Sequence, residues 1–423
     1  MKKQSSKTPR TEGGIILQVN LLGAIVFSVA LISAAGMVTY ALAKNSARPQ
    51  TAEARELAPD AAQEPAQVPP WGELFVRNIK INPPEEYLAF ELQHVNPPAW
   101  IFDGQSVAQV RQLLLSSGLT PEQVDHALIP SKVSTSSANT TVVPDNDLVF
   151  SLPPPTRAKL YHELGHSPEN QHMRFPFCFS GNTFEDTFAT NKVSAATTAM
   201  VKKLMYPRGD LQCFSDYELV LKQFPDKDEQ MRVLRALSSQ SAVMAGVRIR
   251  PDTDIEKLLG YWAWPGGIRV KDVQPLLESL KNIPDGRIGL MYLLPQFVRQ
   301  RLYTFPLPSR PGDPTMDCHW STMNFFNEVP DDRFTDPDYT VKFLETNYYQ
   351  IAKPTKYGDI ILFLDGESNN AIHSAVYLAD DIVFTKNGSN MAQPWMLMHL
   401  KDLVTKYESD GPGRMLIYRN RNW

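Results

Sequence analysis

The sequence predicts an α+β protein. It reads as an N-terminal transmembrane helix, a mixed α/β middle region, and a C-terminal domain in which one helix packs on an antiparallel sheet. Three observations predict this. Leu21–Ala43 is the one long uncharged apolar run in the 423 residues. From Trp71 to about residue 300, helix-period and strand-period segments alternate without an internal repeat. After Arg301 a cysteine opens a helical stretch, and several short strands follow it.

The elements follow in order. Lys2, Lys3, Lys7 and Arg10 precede the apolar run, and only Lys44 and Arg48 follow closely. The positive-inside bias therefore keeps residues 1–20 in the cytoplasm and sends the bulk of the chain outside it, as a single-pass membrane protein. Residues 21–43 are long enough to cross a hydrocarbon core of about 30 Å. Ala41-Leu42-Ala43 also fits a signal-peptide cleavage site, although the apolar run is longer than such signals carry. Residues 44–70, rich in Pro, Ala, Gln and Glu, read as a semi-extended linker, since they hold few apolar groups to offset chain ordering.

In the middle region, 71–300, strand character is expected at Leu74–Val76, Tyr87–Phe90 and Leu148–Phe150. Ser106 to Ser117 carries apolar residues at helical spacing and is stopped by Gly118. Thr120-Pro121-Glu122-Gln123 supplies an N-cap, a first-turn proline and a capping-box glutamine for a second helix. Three prolines precede a helix over Thr156–His166, which reads as a surface amphipathic element. In the tail, 301–423, Tyr339–Ile351 reads as a helix. Ile360–Leu364, Ile372–Leu378 and Ile382–Lys386 read as strands, the last two joined by a tight turn at Ala379-Asp380-Asp381. Met396–Tyr407 reads as a helix and Met415–Tyr418 as a closing strand.

Composition narrows the function classes. A formal net charge of −4 leaves no whole-chain basic field, which argues against a nucleic-acid partner. The three cysteines, Cys178, Cys213 and Cys318, leave at least one unpaired. Cys178 with Cys213 as a disulfide and Cys318 as the free thiol is one allowed arrangement; three unbridged cysteines is another.

Cys318 sits in Asp317-Cys318-His319-Trp320, and His373 opens a strand downstream. Only a thiolate attacks efficiently, and a helix N-terminus or a nearby imidazole favours it. Cys318 is placed for the first device and His373 for the second, as nucleophile and base. His319 reads as an exposed helix residue or as a group near the thiol. Trp320 and Trp395 read as core residues before groove residues, and Lys386 as a solvated strand end before a carboxylate binder.

These residues resemble the NlpC-type cell-wall peptidases. The resemblance rests on Asp317-Cys318, on Gly358-Asp359-Ile360-Ile361-Leu362-Phe363, and on His373-Ser374-Ala375-Val376-Tyr377-Leu378, and covers about the last quarter of the chain. It implies a papain-like fold and amide hydrolysis through Cys318 and His373, on cell-wall stem peptides or another amide substrate, with no cofactor. The family carries a third polar residue on the strand after the base. Strand alignment puts Thr385 there, whereas Asn387, two residues on, can both donate to and accept from an imidazole and is taken for that role. Asn387-Gly388 is also a turn dipeptide. The chain departs from the family in having His319-Trp320 after the cysteine, where a small residue is usual.

A second constellation competes. His162-Glu163-Leu164-Gly165-His166 puts two histidines four apart on one helix face, with Glu163 as a general base and His172 as a third zinc ligand. Glu169 stands where that zinc-peptidase pattern needs glycine. The expectation is therefore a membrane-anchored cysteine amidase using Cys318, His373 and Asn387. The alternatives are a zinc peptidase using His162, Glu163, His166 and His172, and a non-catalytic envelope scaffold.

Overall fold

The computed structural model describes residues 68–422, apart from 94–97, 137, 168, 264–269, 308–315, 367–368 and 408–413. The chain is mixed α/β with several antiparallel sheets. Strand β1 (Glu73–Ile81) is followed by a helical lobe. There, Val107–Ser117 starts at a capping box on Ser106 and stops at Gly118 in the left-handed region, and Pro121–Ala127 starts at a second box on Thr120. Helix α1 (Pro154–Leu164), the short helix α2 (Gln171–Arg174), β2 (Phe177–Phe179) and β3 (Leu211–Phe214) complete the part of the lobe that matters below. Cys178 and Cys213 are directly opposite each other in the β2–β3 pair and are joined as a disulfide.

The chain then returns through β4 (Gln240–Ile249), which pairs with β1 along its whole length and with β5 (Gly286–Gly289). Helix α3 (Cys318–Met323) opens the tail. A six-stranded antiparallel sheet follows, built from β6 (Tyr348–Ile351), β7 (Ile360–Leu364), β8 (Ala371–Ala379), β9 (Ile382–Lys386), β10 (Trp395–His399) and, after helix α4 (Leu400–Tyr407), β11 (Arg414–Asn420). Its order is β6-β11-β7-β8-β9-β10. Even-numbered residues such as Leu362, Val376 and Phe384 pack with Trp320 and Phe325 from and just beyond α3, while odd-numbered ones such as Phe363, Ala375 and Val383 pack under α4. The first of these cores also takes in Val247, Trp262 and Phe297, so it begins well before residue 301.

The membrane expectation is corrected. No helix among the described residues is long and apolar enough to cross a membrane. The longest, Lys227–Ser238, has 12 residues, against about 20 for a span. The predicted transmembrane helix, 21–43, and the tail and most of the linker around it lie outside the described residues. The α+β class with a transmembrane helix gives way to a mixed α/β class, and the topology of cytoplasmic N-terminus and extracytoplasmic bulk is set aside with it.

Local expectations are also revised. Tyr87–Phe90 and Leu148–Phe150 are helical, within Glu85–Gln93 and Asn146–Ser151. Glu85 and Glu86 in the first turn after Pro83-Pro84 suit a helix start better than a strand. Met396–Tyr407 splits into β10 and α4, and Tyr339–Ile351 into the helix Pro337–Asn347 and β6.

Candidate active site

Cys318 is the first residue of α3, buried and not disulfide-bonded. Asp317 caps the helix, its carboxylate accepting the Trp320 N–H at 2.8 Å. Two side-chain bonds fix the helix on the sheet: Ser374 Oγ donates to Thr322 Oγ1 at 3.1 Å, and Trp395 Nε1 donates to Ser321 Oγ at 2.8 Å. Thr322 is one turn beyond Cys318, so a β8 residue adjacent to His373 sets the height of the cysteine.

His373 is fully buried. Its Nε2 lies 2.7 Å from Thr385 Oγ1 on β9, and its ring stacks on Tyr407 at 4.0 Å and 7°. Its Nδ1 is buried and has no hydrogen-bond partner, Cys318 included. Burial, reinforced by the cations of His319 and Lys406, holds this imidazole well below the usual histidine range, so it is neutral. The pleat turns His373 to the opposite face from Ser374 and the body of α3. Cys318 reaches that neighbourhood because it begins the helix, at the rim: it lines one cleft together with Asn387, Met398 and Tyr407.

The imidazole that bears directly on the sulfur is His319. Burial opposes its charge, but Cys318, through charge and a hydrogen bond, outweighs that loss, and Asp317 and the Ala371 backbone add to it; the imidazole is held up at about 9. Lys386 is a second cation nearby. It is fully buried rather than solvated, and its ammonium donates to the carbonyls of Gly388 (2.6 Å) and Asn390 (3.2 Å). Burial pulls it down to about 8, against the opposing pull of Asp317 and Cys318. Positive charge beside a thiol favours the thiolate.

Asn387 does not serve His373. Its amide donates to Met398 Sδ at 3.4 Å and its oxygen accepts from Tyr407 Oη at 3.4 Å. The strand has ended at Lys386, and the chain turns at Gly388 with φ 88. With Val376 opposite Phe384, Thr385 is the side chain diagonal to His373 on the same face. Trp320 and Trp395 are core residues. Gly358-Asp359 is structural: Asp359 is buried, receives a two-pronged bond from Arg419 at 2.8 and 2.7 Å, and accepts the backbone N–H groups of Thr355 and Lys356.

No family model, curated protein or solved structure matches the chain.

The zinc constellation is not assembled. Helix α1 ends at Leu164, so His166 lies past its end in the following turn, where its ring meets that of His162 edge-on at 5.1 Å. His172 is half-buried against Phe177 and Tyr217 instead. Among the described residues no three His, Cys, Asp or Glu side chains are grouped to hold a metal ion. Helix α1 exposes Lys159, His162 and Glu163 on one side and buries the other. Arg157 and Tyr161 are fully buried, and both bind Asp216, Tyr161 Oη at 2.5 Å and Arg157 Nε at 3.3 Å. His162, His166 and His172 nevertheless face the same cleft as Cys318, from its other wall.

Tyr407 escaped the sequence reading, and His319, read as exposed or near the thiol, takes the second of those places. His319 adjoins the nucleophile in sequence, and neighbours on a helix ordinarily diverge, so only the helix start allows the contact. Tyr407 carries no motif; its role comes from α4 crossing the sheet face that holds His373.

Proposed function

We propose that the chain is a cysteine-dependent amidase or peptidase of the NlpC type, acting on peptide amide bonds in a cleft of about 1780 Å³ between the helical lobe and the C-terminal sheet. One observation carries the reading. A free cysteine at the cleft wall has a charged imidazole, His319, bearing directly on its sulfur, with the buried Lys386 ammonium as a second positive group nearby.

The chemistry follows from those states. The His319 imidazolium stabilises the Cys318 thiolate, which attacks the amide carbonyl. The C–N bond breaks, a thioester forms on Cys318, and the leaving amine departs with a proton from an imidazolium. In the second half His319, neutral once the amine has taken its proton, accepts a proton from the water that cleaves the thioester, which restores the imidazolium and frees the thiolate. Cell-wall stem peptides are the substrates that the resemblance of the tail points to.

The test compares wild type with Cys318→Ala and Glu163→Ala on purified stem peptides, metal content being measured alongside. Turnover vanishes in the cysteine variant and persists in the glutamate variant without bound zinc. Equal turnover by wild type and Cys318→Ala refutes the thiol reading.

A further inference from the structure

The wall of the cleft opposite Cys318 carries a feature that the thiol chemistry does not use. Phe175, immediately after α2, is 67% exposed, and the Arg174 guanidinium lies over its ring at 5.5 Å. Both line the same cleft as Cys318 and His319. Arg174 is half-buried, yet among the described residues its guanidinium donates to no acceptor. Burial draws its pKa down; the carboxylate that bears on it is Asp365, across the cleft, which acts on it as charge and not through a hydrogen bond.

Asp365 ties Arg174 to the reacting centre. Its N–H bonds to the Asn370 carbonyl at 2.8 Å, and the next residue, Ala371, supplies the backbone group that bears on His319. A partly dehydrated guanidinium with unused donors is costly until an acceptor arrives. Its planar fork matches a carboxylate with two parallel bonds. The disulfide four residues on, at Cys178, ties down the strand that follows, and the Arg174 guanidinium rests over the Phe175 ring.

We propose that Arg174 binds the free α-carboxylate of a peptide substrate, with Phe175 packing on the adjoining side chain, so that an amide close to the C-terminus meets Cys318. The inference rests on the cysteine reading above. The leaving group is then the carboxylate-bearing C-terminal fragment, released as its amine, while the N-terminal part stays on sulfur as the thioester.

The test is calorimetric and needs no turnover. A cell-wall stem tetrapeptide and the same peptide amidated at its C-terminus are titrated into the Cys318→Ala protein. The free acid binds about 10–100-fold more tightly, as expected for a lost charge-assisted pair. Adding Arg174→Met brings the acid to the level of the amide and leaves the amide unchanged, while Arg174→Lys recovers part of the preference. Equal binding of acid and amide by the Cys318→Ala protein overturns the proposal, and because that comparison uses an intact Arg174 it stands even if an Arg174 variant fails to fold. A protein that prefers the acid but shows no cysteine-dependent turnover refutes the thiol reading and leaves the anion site standing.

Discussion

Two imidazoles of the same kind differ in charge here because one is beside a sulfur and the other is beside nothing polar on one edge. His319 gains more from Cys318 and Asp317 than burial takes away; His373 has only Thr385, with an aromatic ring stacked on it. This sets a pH window. The rate requires His319 charged, so kcat/KM is flat through neutrality and falls as pH rises through about 9. The His319→Gln variant loses that alkaline limb and about 10²–10⁴ in kcat, the range for a positioned acid–base group. A pH–rate profile of the two proteins checks this, and an alkaline limb that survives the substitution removes His319 from the mechanism. The helix start at Cys318 and the strand that carries His373 were legible in the sequence, His373 being the third residue of β8. For His319 the sequence left an exposed position and a place near the thiol both open, and burial with the Ala371 backbone contact favours the second.

At the scale of elements, capped helices were legible and buried polar contacts were not. Ser106 and Thr120 announce their helices through local chemistry alone. Helix α1 shows the opposite. Arg157 and Tyr161 suggested a wet surface, but Asp216, distant in sequence, supplies the partner that lets both enter the core. Burial pushes the Asp216 carboxyl up to about 6, so its protonated form is favoured in the fold. The stability tied to it is fully present below the unfolded value near 4 and is lost as pH rises through about 6. The difference is on the order of 3 kcal/mol for a shift of this size. Replacing Asp216 with Asn removes that dependence. Melting temperatures of wild type and Asp216→Asn, compared at pH 4 and pH 7, measure it; parallel changes in both proteins contradict the assignment. The Met396–Tyr407 segment was misread for a related reason. Its opening Met396-Leu397-Met398 is apolar because β10 is covered on both faces there, and a run of that kind has no period to tell strand from helix.

On the scale of the whole molecule, the cleft is the feature no single stretch of sequence could display. Each wall comes from a separate core, and the two constellations that competed in the sequence, around His162 and around Cys318, face each other across it. The tail sheet was largely legible from strand signals and turn residues such as Asp380, which sits at positive φ. The pairing of β4 with β1 was not, because it joins strands more than a hundred residues apart in the chain.

The Cys178–Cys213 bridge makes the choice of assay buffer an experiment in itself. It closes a span of 35 residues in the wall that carries Arg174, and cleaving it costs about 3–4 kcal/mol in the chain-entropy account. Dithiothreitol, ordinarily added to protect a nucleophilic sulfur, attacks this bond as well. Activity measured against increasing dithiothreitol therefore rises and then declines, and the Cys178→Ser/Cys213→Ser protein begins low and lacks the declining phase. A monotonic rise in the wild-type protein shows that the wall keeps its shape without the bridge. Phosphine and thiol reagents, differing in reach, then become probes of how open that wall is to solvent.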